Sequence, residues 1–91
     1  EQLEFWREYQ FIAERKWRMD FLITSEDSQH EVLVEIQGGI WNQGRHVRGS
    51  GYEKDIEKHN AAILVGYRVL WATPKHVKSG QLLAWVKEAL K

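Results

Sequence analysis

The sequence predicts an α/β (α+β) domain: a mixed β-sheet of about four strands flanked by helices. Three observations lead there. Two apolar, β-rich runs, WRMDFLIT and HEVLVEIQ, are joined by the polar turn SEDSQ, the pattern of an antiparallel hairpin. A helical stretch separates the second run from a later short one, YRVLWA, and a helix between two strands favours their parallel pairing. No internal repeat or linker interrupts the chain, so residues 1–91 read as a single domain.

Each element follows from local pattern. The opening EQLEFWREYQFIAER is ambiguous: Leu3, Phe5 and Trp6 suit the end of a helix, while from Arg7 the alternation Tyr9, Phe11, Ala13 suits a half-buried strand. Strand two runs from about Lys16 to Thr24. It is expected to set Trp17, Met19, Phe21 and Ile23 on one face and Arg18, Asp20 and Leu22 on the other. HEVLVEIQ is nearly continuous in apolar character, which marks a central strand covered on both faces. Val32, Val34 and Ile36 share one side; Leu33, Glu35 and Gln37 share the other.

Gly38 to Gly51 holds five of the seven glycines and reads as a functional loop. Tyr52 to Val65 is the helix, with a stripe of Tyr52, Ile56, His59 or Asn60, and Ile63, and Gly66 stops it. Asp55, Lys58 and His59 lie at i, i+3 and i+4 and share a face. Thr73-Pro74 is an N-cap with proline in the first turn. Leu82, Leu83, Val86 and Leu90, flanked by Trp85, give the last helix an apolar face.

Composition narrows the function classes. A formal net charge of +0 argues against coating nucleic acid by bulk electrostatics. The charge is unevenly spread, however. Arg15, Lys16 and Arg18 cluster before Asp20, and Arg45, Arg48 and Lys54 follow the glycine-rich segment, a basic rim compatible with a phosphate backbone. The structural alternative is scattered, solvated surface charge. The absence of cysteine excludes a disulfide framework and thiolate zinc sites and fits a reducing cytoplasm. No apolar run approaches the ~18 residues of a membrane span, so no membrane partner is expected. The chain opens at Glu1 without Met, which leaves room for upstream sequence.

The chemistry concentrates on two carboxylates that interrupt apolar strands, Asp20 and Glu35. On antiparallel neighbours they can hold a divalent metal against a phosphodiester. Mg²⁺ takes oxygen ligands at about 2.0–2.1 Å, commonly one or two carboxylates with substrate phosphate and water. The carbonyl of Ile36 is a plausible third protein ligand. A buried carboxylate pair without a cation would drive one pKa upward, which favours the metal reading. Gln37 would position the water. His46 serves as base or phosphate ligand, and Lys58 as a cation near the scissile phosphate. Trp41 would stack on a base, with Arg15, Lys16, Arg18, Arg45, Arg48 and Lys54 holding the backbone.

Structural alternatives stand beside each. Asp20 can cap a turn or pair with Arg15 or Arg18, and Glu35 can face solvent. His46 can be a solvated loop residue, Trp41 a plug in the core, and Lys58 a partner of Asp55. His30 and His76 read as surface residues. No His/His/Glu spacing on one helix suggests a zinc protease.

The order Asp20, then E-I-Q at Glu35 to Gln37, resembles the PD-(D/E)XK nuclease superfamily. The linked runs R-K-W-R-M-D-F, V-E-I-Q-G-G-I-W, G-R-H-V-R-G-S-G-Y-E-K-D-I-E-K-H-N and G-Y-R-V-L are similar to small phage-encoded endonuclease-like proteins of that superfamily and to the very-short-patch repair endonuclease group. The resemblance spans roughly Arg15 to Lys78. It implies a restriction-endonuclease-like core and Mg²⁺- or Mn²⁺-dependent DNA cleavage in the cytoplasm of a bacterium or a phage-infected host, with Asp20 and Glu35 as metal ligands. Three departures accompany it. Gln37 stands where the superfamily has lysine, and Asn42 where the very-short-patch group has a catalytic histidine. The N-terminal helix, which can carry a further acid, is absent or truncated, with Glu4 or Glu8 as substitutes.

The expectation is a metal-dependent DNA endonuclease, structure-specific in phage DNA processing or repair, acting as a homodimer because so small a chain has little surface for both a site and long DNA contacts. The alternatives are a non-catalytic nucleic-acid-binding module that keeps the fold, and a nuclease directed to RNA.

Overall fold

Extended segments rich in aromatic and β-branched residues satisfy their backbone groups by pairing side by side, and here four of them form one mixed sheet. In the computed structural model the described residues are 3–38 and 50–91, the side chains of 50–52 excepted. The strands are β1 (Leu3–Tyr9), β2 (Met19–Ser25), β3 (Val32–Ile36) and β4 (Arg68–Ala72); the helices are α1 (Ser50–Leu64), α2 (Pro74–Ser79) and α3 (Gln81–Ala89). The spatial order is β1-β2-β3-β4. β1 and β2, and β2 and β3, pair antiparallel, whereas β3 and β4 are parallel, joined through α1 as the helix-between-strands pattern requires. The domain is α+β, with three helices around a four-stranded mixed sheet among the described residues.

Burial follows the alternation of β3. Val32, Leu33 and Val34 are all fully buried, so both faces of this strand are covered. Leu33 packs with Leu22, Met19, Phe11 and Ala62 of α1; Val32 and Val34 pack with Val86 and Leu90 at the α3 end. α1 and α3 therefore cover opposite faces of the sheet.

Four expectations need correction, three of them about whole elements and one about His76. Leu3, Phe5 and Trp6 belong to a strand, not to the end of a helix, because pairing from Leu3↔Ser25 to Tyr9↔Met19 gives their backbone groups partners. Phe11 and Ala13 lie beyond that strand. The face assignment of strand two also shifts: Phe21 and Ile23 pack on the α3 side, but Trp17 and Met19 join the α1-side cluster. Trp17 precedes the strand, and between the pairs Arg7↔Phe21 and Tyr9↔Met19 the register skips Glu8, whose φ of 49° is left-handed.

The third correction concerns α1. Its expected stripe faces the core only in part: His59 is buried, but Ile56 and Ile63 are 44% and 54% exposed, and the buried Ala62 lies outside the stripe. The small Ala62 lets the helix approach the sheet, and the polar residues on that face find tertiary partners. α1 ends as expected at Gly66, whose φ of 111° suits glycine. Thr73 caps α2 with Pro74 in its first turn. His76 is not a free surface residue there: it is half-buried against Trp85, and its Nδ1 accepts the Thr73 N–H at 3.0 Å. No described helix is long and apolar enough to cross a membrane.

Candidate active site

The β2–β3 register pairs Phe21 with Val34 and Leu22 with Leu33. Asp20 and Glu35 are the next residues along each strand, and the Asp20 charge lies close enough to raise the Glu35 pKa. Asp20 Oδ2 accepts the Ile36 N–H at 2.7 Å, so the carboxylate takes the place of a ladder carbonyl. An extended residue directs its N–H and C=O toward the same neighbour. The Ile36 carbonyl is thereby on the Asp20 side of β3, where the sequence reading puts a third oxygen ligand.

Lys58 reaches this pair from α1. Its Nζ lies 3.4 Å from Glu35 Oε2 and donates to the Arg18 carbonyl at 3.0 Å. Asp55, the expected i, i+3 partner, makes no ion pair with it among the described residues. The two side chains are only 12% (Lys58) and 19% (Glu35) exposed. Glu35 Oε1 is buried and has no hydrogen-bond partner among the described residues. Burial raises the Glu35 carboxyl above its ordinary 4.5; Lys58 opposes the rise, and the nearby Asp20 and Asp55 charges add to it. A buried acceptor oxygen that resists ionisation beside a second carboxylate suits a hard cation, which would relieve both costs.

The residues present fit a divalent metal in part. No cluster of three or more His, Cys, Asp and Glu side chains exists among the described residues. The protein offers two carboxylates and a backbone carbonyl, so water and a substrate phosphate would complete the shell. Glu8 is the better placed of the two substitute acids: it lines an open cleft of about 350 Å³ with Asp20, Ile36 and Gly38, whereas Glu4 pairs with Thr24.

The remaining candidates scatter. Gln37 is half-buried beside the site, its N–H donating to the Ala72 carbonyl at 2.6 Å. Arg18 is adjacent through its carbonyl, and its guanidinium donates to the Glu8 carbonyl at 3.4 Å. Lys54 is exposed one turn before Lys58. Arg15 lies 3.7 Å above the Trp17 ring. Neither it nor the exposed Lys16 bonds to Asp20 or Glu35 among the described residues. Trp41, Arg45, His46 and Arg48 lie outside the described residues.

Two further residues adjoin the site that sequence reasoning did not single out for it. His59 is 6% exposed, its Nδ1 is 2.7 Å from the Asp55 carbonyl, and its ring stacks on Trp71 at 4.1 Å. Since that carbonyl only accepts, Nδ1 carries the proton and Nε2 is left a buried acceptor without a partner among the described residues. Trp71 pairs with Glu35 across β3 and β4. The available signal was that Trp71 sits at the end of a strand parallel to the one bearing Glu35.

Burial lowers the His59 pKa below 6.5, against the support of the Asp55 carbonyl. A folded-state pKa below the unfolded one means that the contribution is present above about pH 6.5 and is lost as pH falls through the depressed value. The metal-free protein is therefore expected to lose stability in that window, and His59→Phe to lose less; urea unfolding on either side of it checks this.

Compared with known proteins, the chain matches no family model, no curated protein and no solved structure.

Proposed function

We propose that this domain is a metal-dependent endonuclease with a restriction-endonuclease-like core, and that it cleaves DNA phosphodiester bonds using Mg²⁺ or Mn²⁺. One observation carries the reading: where the β2–β3 ladder ends, Asp20 accepts the Ile36 N–H at 2.7 Å beside Glu35, and the Lys58 ammonium lies 3.4 Å from Glu35. Asp20, Glu35 and the Ile36 carbonyl would hold the metal, which supplies charge neutralisation and an acidified water when bound. Lys58 supplies the positive charge that Gln37 cannot, on a helix instead of on β3, and Gln37 orients the water through its amide. Arg18 and Lys54 hold the substrate backbone, with Arg45, His46 and Arg48 as the further phosphate contacts and Trp41 as the base-stacking residue that the sequence leads one to expect.

The homodimer belongs to this reading. The outer face of α1 exposes Ile63 and Leu64, the latter at 83%, and light scattering with and without DNA measures the assembly. The reading itself is tested by incubating the full chain with plasmid and oligonucleotide DNA in Mg²⁺, Mn²⁺ or chelator. Metal-dependent cleavage lost in Asp20→Asn supports it. Cleavage that survives that substitution, or no cleavage of any DNA form with either metal, overturns it.

A further inference from the structure

Beside the carboxylate pair sits a large aromatic ring that the fold does not bury. Glu35 and Trp71 are register partners in the parallel pair β3–β4, so their side chains leave the same face of the sheet from strands about 4.8 Å apart. Trp71 is 46% exposed. It is not loose, because the His59 ring lies against it at 4.1 Å with 34° between the planes. His59 is in turn fixed by its Nδ1–H bond to the Asp55 carbonyl at 2.7 Å. The indole is thus backed on the protein side by a buried, oriented ring and open on the other.

Its place in the fold matters as much as its exposure. Trp71 and Ala72 close β4, and Glu35 and Ile36 close β3. The carboxyl ends of adjacent parallel strands are where open α/β sheets bind ligands. Among the described residues the other exposed aromatics lack this combination: Phe5 and Trp6 lie on the far edge strand, β1, and Trp85 lies on α3, which covers the opposite face of the sheet.

We propose that Trp71 is a stacking platform that receives an unpaired nucleobase beside the phosphate held at Asp20 and Glu35, and so directs the site to single-stranded or locally opened DNA over continuous duplex. The proposal rests on the nuclease reading of that site and names its substrate class. Bases within a duplex are covered on both faces by their neighbours, and an indole can stack only on a base that has lost one. A chain of zero net charge cannot rely on bulk electrostatics to hold a phosphate backbone. Base–aromatic stacking supplies affinity that does not depend on net charge and tolerates any sequence.

The test measures binding in chelator, where nothing is hydrolysed, by fluorescence anisotropy of a short dye-labelled DNA strand, alone and annealed to its complement. Wild type, Trp71→Ala and Trp71→Phe are compared after confirming equal cooperative unfolding. Wild type is expected to bind the single strand more tightly than the duplex. Trp71→Ala should weaken single-strand binding about five- to 150-fold with little change for duplex, and Trp71→Phe should retain most of the affinity. Equal losses on both DNAs, no loss on either, or no binding to either overturns the proposal. Stacking by Trp71 with no cleavage in any metal would sink the nuclease reading alone. Cleavage that needs Glu35, with binding indifferent to Trp71, would sink the platform alone.

Discussion

Glu35→Gln is expected to abolish metal-dependent cleavage while leaving the metal-free fold at least as stable as wild type at neutral pH. Losing a metal that contributes about 4 kcal/mol to the transition state corresponds to about a 10³-fold fall in rate. The stability half follows from the pKa. Burial above all raises the Glu35 carboxyl from 4.5, so the fold favours its protonated form. The stability that this form gives is complete below pH 4.5 and is lost as pH rises through the raised value. Glutamine is neutral throughout and has no such loss. The advantage of Glu35→Gln over wild type should therefore widen as pH rises across that window and then level off, as urea unfolding in chelator at about pH 4 and about pH 8 would show. If Glu35 served only to pair with Lys58, the same substitution would destabilise the protein at the higher pH.

Lys58→Met is the second large effect. Methionine keeps most of the stem that fills the space between α1 and the sheet but removes the ammonium. Deleting one charge-stabilising donor at a reacting phosphate costs about 10²–10³-fold in kcat. The fall should appear in kcat with KM little changed, and metal affinity should hold, because a cation that competes for Glu35 has been removed. Glu35 loses the Lys58 charge that opposes the rise, so its pKa rises further and the acid limb of the pH–rate profile moves to higher pH. Lys58→Arg, which retains the charge, should recover part of the rate. A loss of activity that only tracks a loss of stability, with no movement of the acid limb, would leave Lys58 as a structural ion pair.

What the sequence disclosed and what it hid have physical reasons. The hairpin, the parallel crossover through α1 and the central place of β3 were legible because each depends on local periodicity and on the order of elements. The proximity of Asp20 to Glu35 depends on register, which burial on one face restricts but a turn as irregular as SEDSQ does not set. The orientation of α1 was misjudged because helical spacing made Ile56 and Ile63 the natural core face. Lys58 turns inward beside His59 instead, because the Arg18 carbonyl, Glu35 and the Asp55 carbonyl satisfy the two of them. Two of those three partners are distant in sequence. Trp71 was hidden for the same reason: YRVLWA marks a buried strand, and only its pairing beside Glu35 shows that the indole adjoins the carboxylates. Glu8 combines an acidic side chain with left-handed backbone at the edge of the Asp20 cleft, a conformation that costs about 1–2 kcal/mol for such a residue and that no local sequence pattern announced.

The central claim is that Asp20 and Glu35 together hold a divalent metal, and calorimetric titration of Mn²⁺ tests it most directly, with wild type and Glu35→Gln compared in the presence of saturating DNA so that phosphate can complete the shell. The account predicts a saturable heat in wild type that disappears in the variant. Equal binding by both proteins, or none by wild type even with DNA present, would contradict it.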